Sequence, residues 1–252
     1  MIRNSARRLL ERLLGTTDYR LVSRGESQER ASFADHLSTL LRALDVDCVF
    51  DIGANRGGFR EFLRAEVGYE GLILSFEPVS HLADGLVAAS GSDPSWHVFR
   101  TAIGDAAGVM PIKVTKNDQL SSFLEPSSAG TAHLSEMSSV SHVEDATVQT
   151  LAGVYPGLQQ EHGFERPYLK IDTQGFDLKV LRGAGEHLAR FPAMQTELSI
   201  IPLYERQPSY VEVLELLNRE GFAISGMYPV VRDAFFKVIE FDCVLVRDPA
   251  AM

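Results

Sequence analysis

The chain has 252 residues, 45% of them hydrophobic and 23% charged, which is enough to bury one sizeable core and predicts a single α/β domain rather than two small ones. A formal net charge of -10 excludes a general nucleic-acid binder, because affinity for the phosphate backbone comes from clustered lysine and arginine. Only two cysteines occur, Cys48 and Cys243, each inside an apolar run; this excludes a disulfide framework and a cysteine-rich metal site, and suits a reducing compartment.

From the N-terminus, Leu9, Leu10, Leu13 and Leu14 recur at helical spacing among Arg3, Arg7, Arg8 and Arg12, a basic amphipathic helix over about residues 1–15. Such a helix packs on the domain or on a partner subunit, which leaves room for a homo-oligomer, or lies weakly on an anionic membrane surface. Charge interrupts its leucines, and no apolar run is long enough to span a bilayer. Neither a signal peptide nor a transmembrane segment is therefore expected, and the protein should be soluble and cytoplasmic. Phe33, Leu37, Leu40, Leu41 and Leu44 then share one face of a helix over 32–44 that feeds the first strand.

The central stretch runs from Cys48 to Phe59. An apolar run stops at Asp51 and turns through Gly53, Ala54, Asn55 and Gly57 into a helix over about 58–66. Glycines there let backbone approach a ligand, and the helix start offers amide donors to an anionic group. A second apolar strand, Leu72 to Phe76, ends in Glu77 and Pro78, and the Glu77 carboxylate is suited to accept hydrogen bonds from both hydroxyls of a ribose. Ala54 and Asn55 replace the second glycine of the Gly-x-Gly-x-x-Gly pattern, which disfavours an NAD-linked oxidoreductase and favours a nucleoside cofactor with an amino-acid end. A tight turn with purely structural glycines is the plainer alternative.

Further along, a helix to residue 88 or 89 and a strand over Trp96–Ile103, ending in Gly104, continue a strand-helix rhythm that predicts a parallel sheet covered on both faces. Val109 to Thr115 predicts an added edge strand. Residues 116–145 are rich in Ser, Asn, Gly and His without a sustained period, which marks a lid or a mobile loop. A short strand over 147–151, a helix or turn over 151–160, a central strand over 167–173 ending near Asp172, a helix over 177–189 and a strand over 193–201 bearing Glu197 follow. A helix over 209–220 stops at Gly221, and two strands, 222–228 and 238–247, close the chain.

Taken together, Phe50-Asp51-Ile52-Gly53-Ala54-Asn55, Phe76-Glu77-Pro78, Ala102-Ile103-Gly104, Leu169 to Gly175, Val180-Leu181-Arg182-Gly183-Ala184 and Glu197 resemble, in order, the FkbM family of class I S-adenosylmethionine-dependent methyltransferases. The resemblance implies a Rossmann-like α/β fold with a mostly parallel seven-stranded sheet, helices on both faces and a reversed last strand. It further implies a domain over 46–248 behind an N-terminal helical segment over 1–45, with a lid or substrate loop over 116–146. S-adenosyl-L-methionine is the implied cofactor, and a hydroxyl of a sugar, glycoconjugate or polyketide-like metabolite the implied acceptor.

Cofactor contacts are expected from Asp51, Gly53, Ala54, Asn55, Gly57, Glu77, Pro78, Ala102, Ile103 and Gly104, and from Asn117, Ser121 and Ser122 in the lid. An alcohol acceptor must lose its proton, so a general base is required, and Asp172 or Glu197 is expected to serve. His133 or His142, carried on the lid, is the other candidate. Where the family usually reads Asp-x-Glu-Gly, this chain has Asp172-Thr173-Gln174-Gly175; the lost charge weakens any metal site, and none is expected. Ala152 likewise stands where many relatives carry an acid. Those two departures motivate the remaining alternative, a partner protein that retains the fold without the chemistry.

Overall fold

The computed structural model describes residues 28–130 and 139–247. Ten strands and six helices carry the architecture: β1 Cys48–Ile52, β2 Leu72–Phe76, β3 Trp96–Phe99, β4 Ala102–Gly104, β5 Gly108–Thr115, β6 Val140–Thr150, β7 Pro167–Ile171, β8 Ala193–Ser199, β9 Phe222–Arg232 and β10 Val238–Arg247, with helices α1 Gln28–Ala43, α2 Gly58–Phe62, α3 Ser80–Ser90, α4 Leu151–His162, α5 Asp177–Ala184 and α6 Tyr210–Arg219. The main sheet has seven strands in the order β3-β2-β1-β7-β8-β10-β9. All its neighbours run parallel except β10, which is antiparallel to both β8 and β9. This is the predicted class of fold, with its last strand reversed. No helix among the described residues is long and apolar enough to cross a membrane.

Burial on both faces explains the near-continuous apolar strands. Successive side chains of a strand point to opposite faces, so Cys48, Phe50 and Ile52 pack with Leu74, Leu169 and Ile171 under α4, α5 and α6, whereas Val49 joins Ile73, Tyr168 and the apolar faces of α1 and α2. The helix predicted over 58–66 is one α-helical turn, α2, continued by a π turn through Leu63–Val67. Helix α6 starts on a capping box in which the Ser209 hydroxyl accepts from the Glu212 amide and the Glu212 carboxylate accepts from the Ser209 amide.

Two expectations need correction. Trp96–Ile103 is two strands, not one: the chain bends at Arg100 and Thr101, where the Thr101 hydroxyl donates to the Thr147 carbonyl (3.0 Å) and draws β4 away from β3. β4 then lies parallel to β6 in a separate three-stranded sheet, β4-β6-β5. The added edge strand, β5, is at the edge of this small sheet, where it pairs antiparallel with β6. Finally, the aperiodic segment ends sooner than expected, because β6 begins at Val140. Its first half is solvent-exposed on both faces, with Ala146 and Val148 its buried residues, so it carries no hydrophobic alternation to read.

Register delivers the site. Ile52 pairs with Phe76 on one side and Ile171 on the other, so β1, β2 and β7 end together, and Gly53, Glu77 and Asp172 each lie just past a strand end. The chain order turns from β1–β2–β3 to β7–β8 at this point, the crevice in which open α/β sheets bind ligands.

Candidate active site

A cavity of about 1070 Å³ opens over this rim. Its first end is built from the β1 turn and the end of β2. Gly53 sits at φ +79°, and a Cβ there would stand 1.9 Å from the Asp172 carbonyl oxygen. Glycine is thus required by the close passage of β7. Asn55, also left-handed at φ +48°, aims its amide at Glu77 Oε2 (2.7 Å), and the Val79 amide reaches Oε1 (2.9 Å). Glu77 is 4% exposed; burial pushes its carboxyl up to about 7, against the two amide hydrogen bonds and the charge of Lys170. Each oxygen has a further lone pair, and the residue lines the cavity. A vicinal diol supplies two hydroxyl donors to such a carboxylate, so the residues present fit a ribose.

Ala54, Pro78, Ala102, Ile103, Asn117, Ser121 and Ser122 also line the cavity, as does Gly53. The last three already have partners: the Asn117 side chain accepts from the Gln119 amide (3.4 Å), Ser121 Oγ accepts from the Thr115 amide (3.2 Å), and Ser122 Oγ donates to the Gln174 carbonyl (2.8 Å). Asp51, Gly57 and Gly104 are not cavity-lining residues. Asp51 is fully buried beneath the floor, where it accepts from the Ser75 hydroxyl (3.0 Å) and pairs with Lys170 Nζ (3.0 Å). Gly57 faces Leu86 and Trp96, and Gly104 packs against Phe176 and Val148.

The second end of the cavity is acidic. Asp172 and Glu197 line it as expected from their strand-end positions, joined by Gln195 and by Glu240 and Asp242 of β10. Desolvation first, then Asp172, Glu240 and Asp242, raises the Glu197 carboxyl well above the usual range. Burial likewise raises Glu240 and Asp242, with Asp172 adding to both. The nearby cation, Lys170, is already held by the Gly53 carbonyl (2.9 Å), Asp51 and, at 3.6 Å, Asp172. Between the acids, Gln174 Nε2 donates to Asp172 Oδ1 (3.1 Å) and Glu197 Oε2 (2.9 Å). Among the described residues no group of three or more His, Cys, Asp or Glu is arranged to hold a metal ion.

His142 does not join this cluster. It lies half-exposed on the solvent-exposed first half of β6, 3.6 Å from Glu144, and is not a cavity-lining residue. His133 falls outside the described residues. Sequence reasoning missed Lys170, Glu240 and Asp242; the signal for the last pair was two acids spaced i, i+2, hence on one face, in an otherwise apolar strand.

A seven-stranded sheet with β10 reversed and a cavity at its switch point define a class I methyltransferase architecture. The model of the methyltransferase FkbM domain matches residues 51–224. The chain belongs to the FkbM family of S-adenosylmethionine-dependent methyltransferases. No curated protein matches it by sequence. Among solved structures it is similar to an FkbM methyltransferase from Methylobacillus flagellatus KT (14% identity, TM-score 0.49), which covers 79% of this chain while the chain spans 44% of that protein. It is also similar to magnesium protoporphyrin IX methyltransferase from Synechocystis PCC 6803 with bound SAH (10% identity, TM-score 0.44, 97% and 94% covered) and to an rRNA methylase from Streptococcus thermophilus (11% identity, TM-score 0.43, 90% and 99% covered).

Proposed function

We propose that the protein transfers a methyl group from S-adenosyl-L-methionine to a hydroxyl of a sugar, glycoconjugate or polyketide-like acceptor. The observation that carries this reading is one cavity lined both by the carboxylate of Glu77, past the end of β2, and by the acids Asp172, Glu197, Glu240 and Asp242 of the β7–β8–β10 side. When bound, the cofactor supplies a methyl carbon already activated by its sulfonium, so displacement breaks a C–S bond as the acceptor oxygen forms a C–O bond.

The chain's own residues then have three tasks. Glu77 and the Asn55 turn hold the nucleoside in register with the rim, which fixes the distance and line of attack. Carboxylates of the far end accept hydrogen bonds from a polyhydroxylated acceptor and repel phosphodiesters, which favours a glycan-like molecule over nucleic acid. The Asp172–Glu197 pair takes the acceptor's hydroxyl proton. Two crowded carboxyls do not both ionise readily, and desolvation favours a proton on Glu197.

The test incubates the purified protein with methyl-labelled donor and a fractionated cell extract, with mass analysis of whatever gains label. Label on the oxygen of a hydroxylated small molecule or glycan is the expected result. Label on nitrogen, on carbon or on RNA would overturn the acceptor assignment.

A further inference from the structure

The fold holds Gln174 in place at some conformational expense. Its backbone is left-handed at φ +51°, a region where a glutamine side chain is unusual, and Gly175 follows at φ +89°. Its side chain meets three partners. Carboxylates of Asp172 and Glu197 lie at 3.1 and 2.9 Å from Nε2, and the Tyr204 hydroxyl at 2.8 Å from Oε1. The amide NH₂ faces the two carboxylates and the amide oxygen faces Tyr204, whose one hydroxyl proton is shared between Gln174 Oε1 and the Leu120 carbonyl. Tyr204 Oη also stands 3.0 Å from the Leu120 carbonyl, in the 3₁₀ turn of the lid, and Ser122 of the same segment donates to the Gln174 backbone carbonyl at 2.8 Å.

We propose that Gln174 is a positioning residue: its amide holds Asp172 and Glu197 as a pair of hydrogen-bond acceptors, and Tyr204 and Ser122 couple that hold to the lid. Glutamate at this position would add a further charge to a crowded acidic end. Glutamine instead supplies two N–H donors to the pair, which favours the ionised form that the proposed base chemistry uses. Glu197 is also faced by Glu240 and Asp242 from β10, with Lys170 on β7, Asp172 just past its end, Asp177 at the start of α5 and Tyr204 beyond Gln174 completing the charged and titratable surroundings. Removing the two donors therefore shifts the pair toward its protonated form. The inference rests on the reading of Asp172 and Glu197 as the base pair of a methyltransferase.

Carbon-13 NMR of protein labelled at its Asp and Glu carboxyls follows the titration in the presence of saturating S-adenosylhomocysteine, with Asp172→Asn and Glu197→Gln assigning the signals. In Gln174→Ala the titration of the pair should move upward by about one pH unit or more, and in Tyr204→Phe by less in the same direction. An unmoved or lowered titration in both folded variants, whatever happens to the melting temperature, would show Gln174 to be structural only and overturn the proposal. If Gln174→Ala does not fold, Tyr204→Phe decides alone. Failure of the wild-type protein to bind S-adenosylhomocysteine would instead strike at the functional reading beneath it.

Discussion

Burial works against ionisation of Glu77. Burial holds its carboxyl at about 7, well above the ordinary carboxylate range, although two backbone amides and Lys170 oppose the shift. Hydroxyls of a ribose would donate to the ionised form, so binding should draw the proton off. The sign follows: affinity for S-adenosylhomocysteine rises as pH increases through about 7 and falls toward pH 6, where the group carries its proton. In Glu77→Gln, calorimetry between pH 6 and 8 should give weaker binding with a much flatter pH dependence; an unchanged slope would assign the effect to other acids. Glu77 was legible in the sequence because it follows an apolar strand directly. Asp51 was legible as a strand-end acid too, but β1 is flanked by β2 and β7, whose Ser75 and Lys170 close over it. Such lateral burial depends on sheet order, which one strand's sequence does not carry.

Among the elements, α5 is tied most closely to the rim. Gly183 packs so tightly on β4 that a Cβ would lie 1.9 Å from the Gly104 carbonyl oxygen, and backbone cannot yield as a flexible side chain can. Gly183→Ala should therefore cost on the order of 1–3 kcal/mol. Thermal unfolding would read this as a fall of several degrees, and an unchanged midpoint would contradict the packing. The sequence revealed β7 as a short apolar run, α5 through the spacing of Leu178, Val180 and Leu181, although the expected helix gives way to a 3₁₀ turn at Gly185, and α6 through its glycine stop. It concealed the break between β3 and β4, since Arg100 and Thr101 are ordinary strand residues and the bend is fixed by a hydrogen bond to Thr147, far along the chain. It concealed the first half of β6 because exposed strands of a small sheet need no apolar alternation.

At the scale of the whole molecule, the parallel core followed from alternating strands and helices, whereas the reversal of β10 came from family resemblance, because antiparallel order leaves no mark in a strand's own periodicity. The acidic end of the cavity was half legible for the same reason. Asp172 and Glu197 end or lie in strands recognised individually, but Glu240 and Asp242 reach them only because β10 inserts beside β8. The account depends on the first end of that cavity holding adenosine. Calorimetric titration of the folded wild-type protein and of Glu77→Ala with S-adenosylhomocysteine tests this most directly. Binding is expected in the wild type, weakened by about 1.5–3 kcal/mol in the variant, roughly ten- to a hundredfold. No binding to the wild type, or equal affinity in both, would contradict it.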